Sequence, residues 1–146
     1  MTSMTVKLRS IAGTEACTGW AGGHTVVVDR PEGKAGGQGL GFSGGQILAL
    51  AIGGCLCNDL YYAAHDMGVR LTSVSVDVTV VFEGSPLLAT QAAVRVAATA
   101  EDGSMDVAGV IERARAISAV ANSLTRGIPV SFSTGNGASL AGPLSR

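Results

Sequence analysis

Ser43-Gly44-Gly45-Gln46-Ile47-Leu48-Ala49-Leu50-Ala51-Ile52-Gly53-Gly54-Cys55-Leu56-Cys57-Asn58-Asp59 is the stretch that decides the fold. Ser43 followed three residues later by Gln46 is a capping-box pattern, in which each side chain satisfies a backbone N–H of the other residue. From Gln46 the chain runs without proline to Met67, and Gly68 supplies a stop. The spacing predicts one long helix over 46–67. Its apolar part, 47–57, is well below the ~20 residues a bilayer requires, so it reads as a core helix. Gly53 and Gly54 each cost about 1 kcal/mol relative to Ala inside a helix. Helices keep such residues where another backbone comes close, which points to helix-on-helix packing beside Cys55.

Outward from this helix the periodicity changes. Val74, Val76, Val78 and Val80 alternate with Ser73, Ser75, Asp77 and Thr79, so a strand is expected over 71–82. Glu83-Gly84-Ser85-Pro86 makes a turn into a second strand, with Ala92, Val94, Val96 and Ala98 inward and Arg95 outward. Val107, Val110, Ile111, Ala114, Ile117 and Ala121 recur at helical spacing and predict one continuous second helix, ended by Gly127 and Pro129. Val130 to Ser133 can add a last strand, and 134–146 reads as a loose tail. Upstream, Val6 and Leu8 suggest a half-buried first strand. Gly19 to Gly23 reads as turn material, His24 to Asp29 as a strand, and Arg30 to Gly45 as a glycine-rich loop. The order β-β, long helix, β-β, helix, β predicts an α+β fold with an antiparallel sheet, in a single domain over 1–133.

Composition bounds the partners. The chain has 146 residues with 14% charged side chains, against about 25% in an ordinary globular domain. Its net charge of −1 comes without any block of like charge, so neither nucleic acid nor an anionic membrane is expected as a partner. The apolar share of 47% in so short a chain implies a face hidden against another subunit. The N-terminus lacks an apolar signal region, and three cysteines make no disulfide framework. A reduced, cytoplasmic protein is expected.

Cys55 and Cys57 are the candidate chemistry. As helical neighbours two apart they point to nearly opposite sides and cannot pair without melting the helix. The same geometry denies a shared metal face to Cys55, Cys57, Asp59 and His65. Cys55 shares its face with Asn58, Asp59 and Tyr62, so two readings stand side by side: a small buried hydrophobe, or a reactive thiol with polar neighbours. Asp59 by itself disfavours the thiolate, so an activated Cys55 needs an arginine from elsewhere, with Arg9, Arg30 and Arg126 available. His24 and His65 read as ordinary polar residues, and Tyr61-Tyr62 as core or interface.

Asp29-Arg30-Pro31-Glu32, the glycine-rich loop and the helix from Ser43 through Gly53-Gly54-Cys55-Leu56 together resemble the OsmC/Ohr family, the osmotically inducible and organic hydroperoxide resistance proteins. Gly19-Trp20-Ala21-Gly22-Gly23-His24 fits as well, and the resemblance extends to about Phe132. It implies an intertwined homodimer with long helices at its centre and sites at the subunit interface. It also implies a thiol peroxidase without metal, flavin or other cofactor. Cys55 matches the attacking cysteine. A second cysteine in the later helix closes a disulfide, and a thiol reductant resets it. This chain departs from that pattern: Ser118 stands where the resolving thiol is placed, and Gly45-Gln46 where the family has an acidic residue. The proline usual just before that acid is Gly44 here. Cys55 is the expected catalytic residue, with Gln46, Asn58, Asp59, Tyr62 and Ser118 in the pocket or around it. The expected activity is one-cysteine reduction of organic hydroperoxides; the rival is a non-catalytic dimer that binds a small hydrophobic ligand at its interface.

Overall fold

A computed structural model of the chain describes residues 1–103, 105–135, 137 and 140. The chain falls into two compact units, Met1–Gly54 with Ser75–Ala97, and Cys55–Val74 with Ala98–Arg146. The architecture is α+β: two antiparallel sheets, one long helix and two shorter helices.

In the first unit, β1 (Lys7–Ser10), β2 (Cys17–Ala21) and β3 (His24–Val28) form a meander in that spatial order. The expected turn at Gly19 to Gly23 is thus mostly strand; only Gly22-Gly23 turn, and Ala21 pairs with His24 across them. Gly19 pairs with Leu8 on one side and Val26 on the other. A Cβ there would make ordinary contact with Val26 at 3.4 Å and Leu8 at 3.5 Å, so the strand accepts a residue that looks like a breaker without requiring it. β1, an outer strand of the sheet, is exposed along its length rather than half-buried.

After β3 the loop folds back, and Phe42 bridges Val28 while exchanging backbone bonds with Val27 and Asp29. Helix α1 (Gly44–Asp66) then begins with the predicted capping box. Ser43 N–H donates to Gln46 Oε1 at 2.9 Å, and Gln46 N–H to Ser43 Oγ at 3.4 Å. At the far end Gly68, with φ +67°, donates to His65 O while Val69 donates to Ala64 O, a Schellman closure. By length and composition alone α1 could cross a membrane, with an 18-residue window of mean hydropathy 1.4, of which 39% is buried within the chain.

β4 (Leu71–Glu83) and β5 (Leu88–Ala100) form the second sheet. The valine alternation of β4 is real: Val74, Val76, Val78 and Val80 are half-buried between exposed polar residues. Along β5 only Val96 and Ala98 of the expected inward set are partly covered, while Ala92 and Val94 remain exposed. A Cβ on Gly53 would meet Val78 Cγ2 at 3.0 Å and Val76 Cγ1 at 3.7 Å. Within the chain Gly53 therefore admits the β4 valines, while a Cβ on Gly54 would meet nothing within 4 Å.

The second unit buries Leu56, Leu60, Ala63 and Ala64 of α1 with Val69, Val110 and Ala114. Leu60 and Val110 are fully buried, and each such side chain contributes about 1.5–3 kcal/mol. The second helix is not continuous. α2 (Val107–Ile117), capped by Asp106 accepting from Gly109 N–H at 2.7 Å, stops at Ser118, and α3 (Ala119–Arg126) starts after it. No extended strand forms over 130–133 among the described residues: Ser133 makes only a single bridge, Phe132 O accepts from Leu140 N–H at 3.0 Å, and Val130 and Phe132 stay exposed. The expected tail, 134–146, lies largely outside the described residues.

Candidate thiol site

The break at Ser118 is what builds the site. Ser118 takes φ −61° and ψ 105°, extended backbone between two helices, with neither glycine nor proline present. Asn122 compensates on both sides: its N–H donates to Ser118 O at 3.0 Å, and its side-chain Nδ2 donates to Ala116 O at 3.1 Å, serving a carbonyl the break leaves open. Ser118 is 1% exposed, and its hydroxyl donates to Cys55 Sγ at 3.8 Å.

Cys55, on α1, is partly buried. Its thiol donates in turn to Asp59 Oδ2, one helical turn on, at 3.4 Å. Asp59 is 8% exposed and has no ion pair among the described residues. A buried carboxylate is tolerable only with hydrogen-bond donors, and here the thiol is one. The sulfur thus sits between a hydroxyl that offers a proton and a carboxylate that accepts one.

Two other residues expected at the site lie open within this unit. Asn58 is exposed and Tyr62 is 66% exposed, so neither encloses the sulfur within the chain. Gln46 belongs to the first unit, where its amide is used in the capping box. It also lines an apolar groove of about 630 Å³ with Ser43, Ala49, Val78, Phe82 and Leu87. Sequence reasoning did not assemble this groove, although Phe82 and Leu87 flanking a turn are the signal. Among the candidate arginines, Arg9 lies over the Trp20 ring at 5.8 Å and Arg30 pairs with Glu15 at 3.2 Å. Arg126 ends α3 without an ion pair among the described residues. Cys17 lies in β2 opposite Ser10 and Val28, and Cys57 is partly buried. Among the described residues no three His, Cys, Asp or Glu side chains gather as metal ligands would.

A second buried carboxylate, Asp29, organises the glycine-rich loop. It accepts from the backbone N–H groups of Leu40 at 3.1 Å, Gln38 at 3.0 Å and Arg30 at 2.8 Å. The Leu40 and Gln38 amides, with Arg30 adding less, hold its carboxyl below the usual carboxylate value.

The class is α+β, with a serine at a helix break touching a cysteine of the long helix. Residues 36–133 match the OsmC-like protein family, and the chain belongs to it. Solved structures agree on the fold. An OsmC-like protein of unknown function from Vibrio cholerae is similar with a TM-score of 0.72 at 11% identity, over 84% of this chain and 94% of that one. An OsmC like protein from Mycoplasma pneumoniae gives 0.70 at 12% identity, over 85% and 88%. An organic hydroperoxide resistance protein OsmC from Legionella pneumophila, described as a redox protein and regulator of sulfide bond formation, gives 0.59 at 15% identity, over 85% and 90%. No curated protein matches the chain in sequence.

Proposed function

We propose that Cys55 is a one-cysteine peroxidatic sulfur acting on organic hydroperoxides. One observation carries this reading: the residue at the resolving position of the family pattern, Ser118, touches Cys55 Sγ. The two-centre geometry is retained, with a hydroxyl in place of the second thiol. In the reaction the Cys55 sulfur, after losing its proton, attacks the distal oxygen of ROOH; the O–O bond breaks and the alkoxide leaves, taking up a proton to become ROH. Cys55 is then a sulfenic acid. Ser118 cannot close a disulfide, so a small thiol attacks the sulfenic sulfur and releases water, and a second thiol frees Cys55 as the external disulfide departs. No metal or flavin enters this cycle.

The same reading makes the chain a cytoplasmic homodimer. Its support is the apolar surface left open in one copy, including Leu50 (51% exposed), Tyr62, Leu87 and Phe132. An obligate dimer would bury more than ~2,000 Å². A monomer at micromolar concentration in sedimentation equilibrium would overturn it.

The non-catalytic reading has its own support in the apolar groove beside Gln46, wide enough for a small hydrophobic ligand. Cumene hydroperoxide decides between the two. Under the peroxidase reading it oxidises Cys55, dimedone labels the product, and Cys55→Ser abolishes the label while Cys57→Ser leaves it. A Cys55 inert to cumene hydroperoxide transfers the function to the groove.

A further inference from the structure

Asp59 has no part in the peroxidase cycle just described, yet its carboxylate holds the hydrogen of the reacting sulfur. Two roles are open to it, and magnitudes separate them. As a base it would take the proton at the moment of attack. Ordinary thiols hold protons about 10⁴- to 10⁵-fold more tightly than ordinary carboxylates, so a carboxylate is a poor base toward a thiol. The alternative is loss of the proton to solvent, which leaves two negative charges about one hydrogen bond apart. At ~4 Å that repulsion is worth roughly fivefold in water and on the order of 10³-fold at the effective dielectric of a protein surface. Among the described residues of this unit, the groups bonded to the sulfur are Asp59 from α1 and Ser118 from the α2–α3 break, and Ser118 is uncharged. One hydroxyl donor at 3.8 Å, beyond the length of a strong hydrogen bond, does not offset a full carboxylate charge.

We infer that Asp59 restrains Cys55: a carboxylate one hydrogen bond from the sulfur opposes the negative charge the sulfur takes on as it attacks, and the thiol reacts at its full rate only when that charge is removed or neutralised by a cation. The restraint rests on Cys55 being the reacting thiol. It also gives the missing arginine a definite task, since a guanidinium brought to this site would act by cancelling Asp59.

The test uses the full chain with Cys17→Ser and Cys57→Ser, so that Cys55 is the sole thiol. Iodoacetamide alkylation is followed from pH 5 to pH 10 with Asp59 intact and as Asp59→Asn, Asp59→Ser and Asp59→Glu, and cumene hydroperoxide oxidation is measured beside it. Asp59→Asn is expected to alkylate at least tenfold faster at pH 7, with the midpoint of its pH profile moved to lower pH. The rates of the charged and uncharged forms should converge toward the alkaline end of the range. Asp59→Glu should stay slow, and Asp59→Ser stands in for Asp59→Asn should the latter not fold. Equal or slower alkylation in the uncharged variants overturns the restraint. So does an increase that is uniform across pH, which would report exposure and not charge. Faster alkylation with no hydroperoxide oxidation in any form keeps the restraint and removes the peroxidase reading. Rapid oxidation of the Asp59 form with unchanged alkylation does the reverse.

Discussion

Asp29 and Asp59 are both buried carboxylates, 6% and 8% exposed, and they are satisfied in opposite ways. Asp29 receives three backbone N–H groups from the glycine-rich loop, with Arg30 Nη2 at 3.7 Å beside it. Asp59 receives a thiol, a weak donor that can leave. Donors fixed in the backbone make a carboxylate part of the fold. A donor that is itself a thiol ties the carboxylate to whatever chemistry that sulfur performs. Neither role is visible in burial alone, and the two sites should separate cleanly under mutation.

The largest effect tests the premise that donors are what make these carboxylates tolerable. Val110 is fully buried in the second unit among alanines and leucines. Val110→Asp places a third carboxylate where apolar side chains surround it, and should cost about 4 kcal/mol or unfold the chain outright. Urea denaturation followed by circular dichroism reads this. A loss near zero would mean burial in this chain does not penalise charge, and the comparison between Asp29 and Asp59 would lose its basis.

Asp29→Asn comes next. An amide accepts fewer bonds than a carboxylate and offers N–H where the loop already presents N–H, so the thermal midpoint should fall. The pH dependence carries the sign. The folded carboxyl of Asp29 holds its proton less tightly than the unfolded one, so its contribution is complete above the ordinary carboxylate value. It is lost as pH falls through the folded value. Stability measured from pH 7 down to pH 2 should therefore decline less steeply in Asp29→Asn, whose Cys55 alkylation should match the parent's. Parallel acid curves would show that Asp29 does not carry this dependence.

How far the sequence exposes these sites depends on which physics set them. The bounds of α1 were legible because capping is local: Ser43, Gln46 and Gly68 act within a few residues of themselves. The β4 face was legible for the same reason, since alternation is a property of neighbours. β2 was hidden because Gly19 looks like a turn residue until its partners Leu8 and Val26 are known, and both are distant in sequence. The break at Ser118 was hidden because helical propensity runs through it. Only the answering Asn122, four residues on, marks it. The Cys55–Asp59 bond follows from one-turn spacing, whereas the Ser118 contact spans 63 residues and was placed by family resemblance alone.

Ser118→Cys sharpens the comparison from the other side, by removing the proton Asp59 accepts. With Ser118 Oγ at 3.8 Å from Cys55 Sγ, the new thiol should close a disulfide under cumene hydroperoxide, visible as loss of two free thiols by mass spectrometry. Closing a loop of this length would add about 4 kcal/mol by chain entropy. The gain should be smaller, because the oxidised sulfur no longer donates to Asp59 and leaves a buried carboxylate short of a partner. Adding Asp59→Asn to the disulfide form should then recover part of the shortfall. A full gain without that second change would mean Asp59 did not depend on the thiol.

Asp59→Asn alone should move stability least. The bond it loses is to a sulfur donor, and the charge it removes was itself costly to bury, so the two terms oppose each other. The net change should stay within about 1 kcal/mol in either direction, read as the urea midpoint at constant slope. Set against Asp29→Asn, this inverts the usual link between burial and structural weight. One carboxylate changes the melting curve and leaves the thiol alone; the other leaves the melting curve alone and changes the thiol. A loss at Asp59 as large as at Asp29 would show that Asp59 supports the helix pair as well as the sulfur. Ser118→Ala would then separate these roles, because it keeps the Asp59 charge while emptying the other side of Cys55.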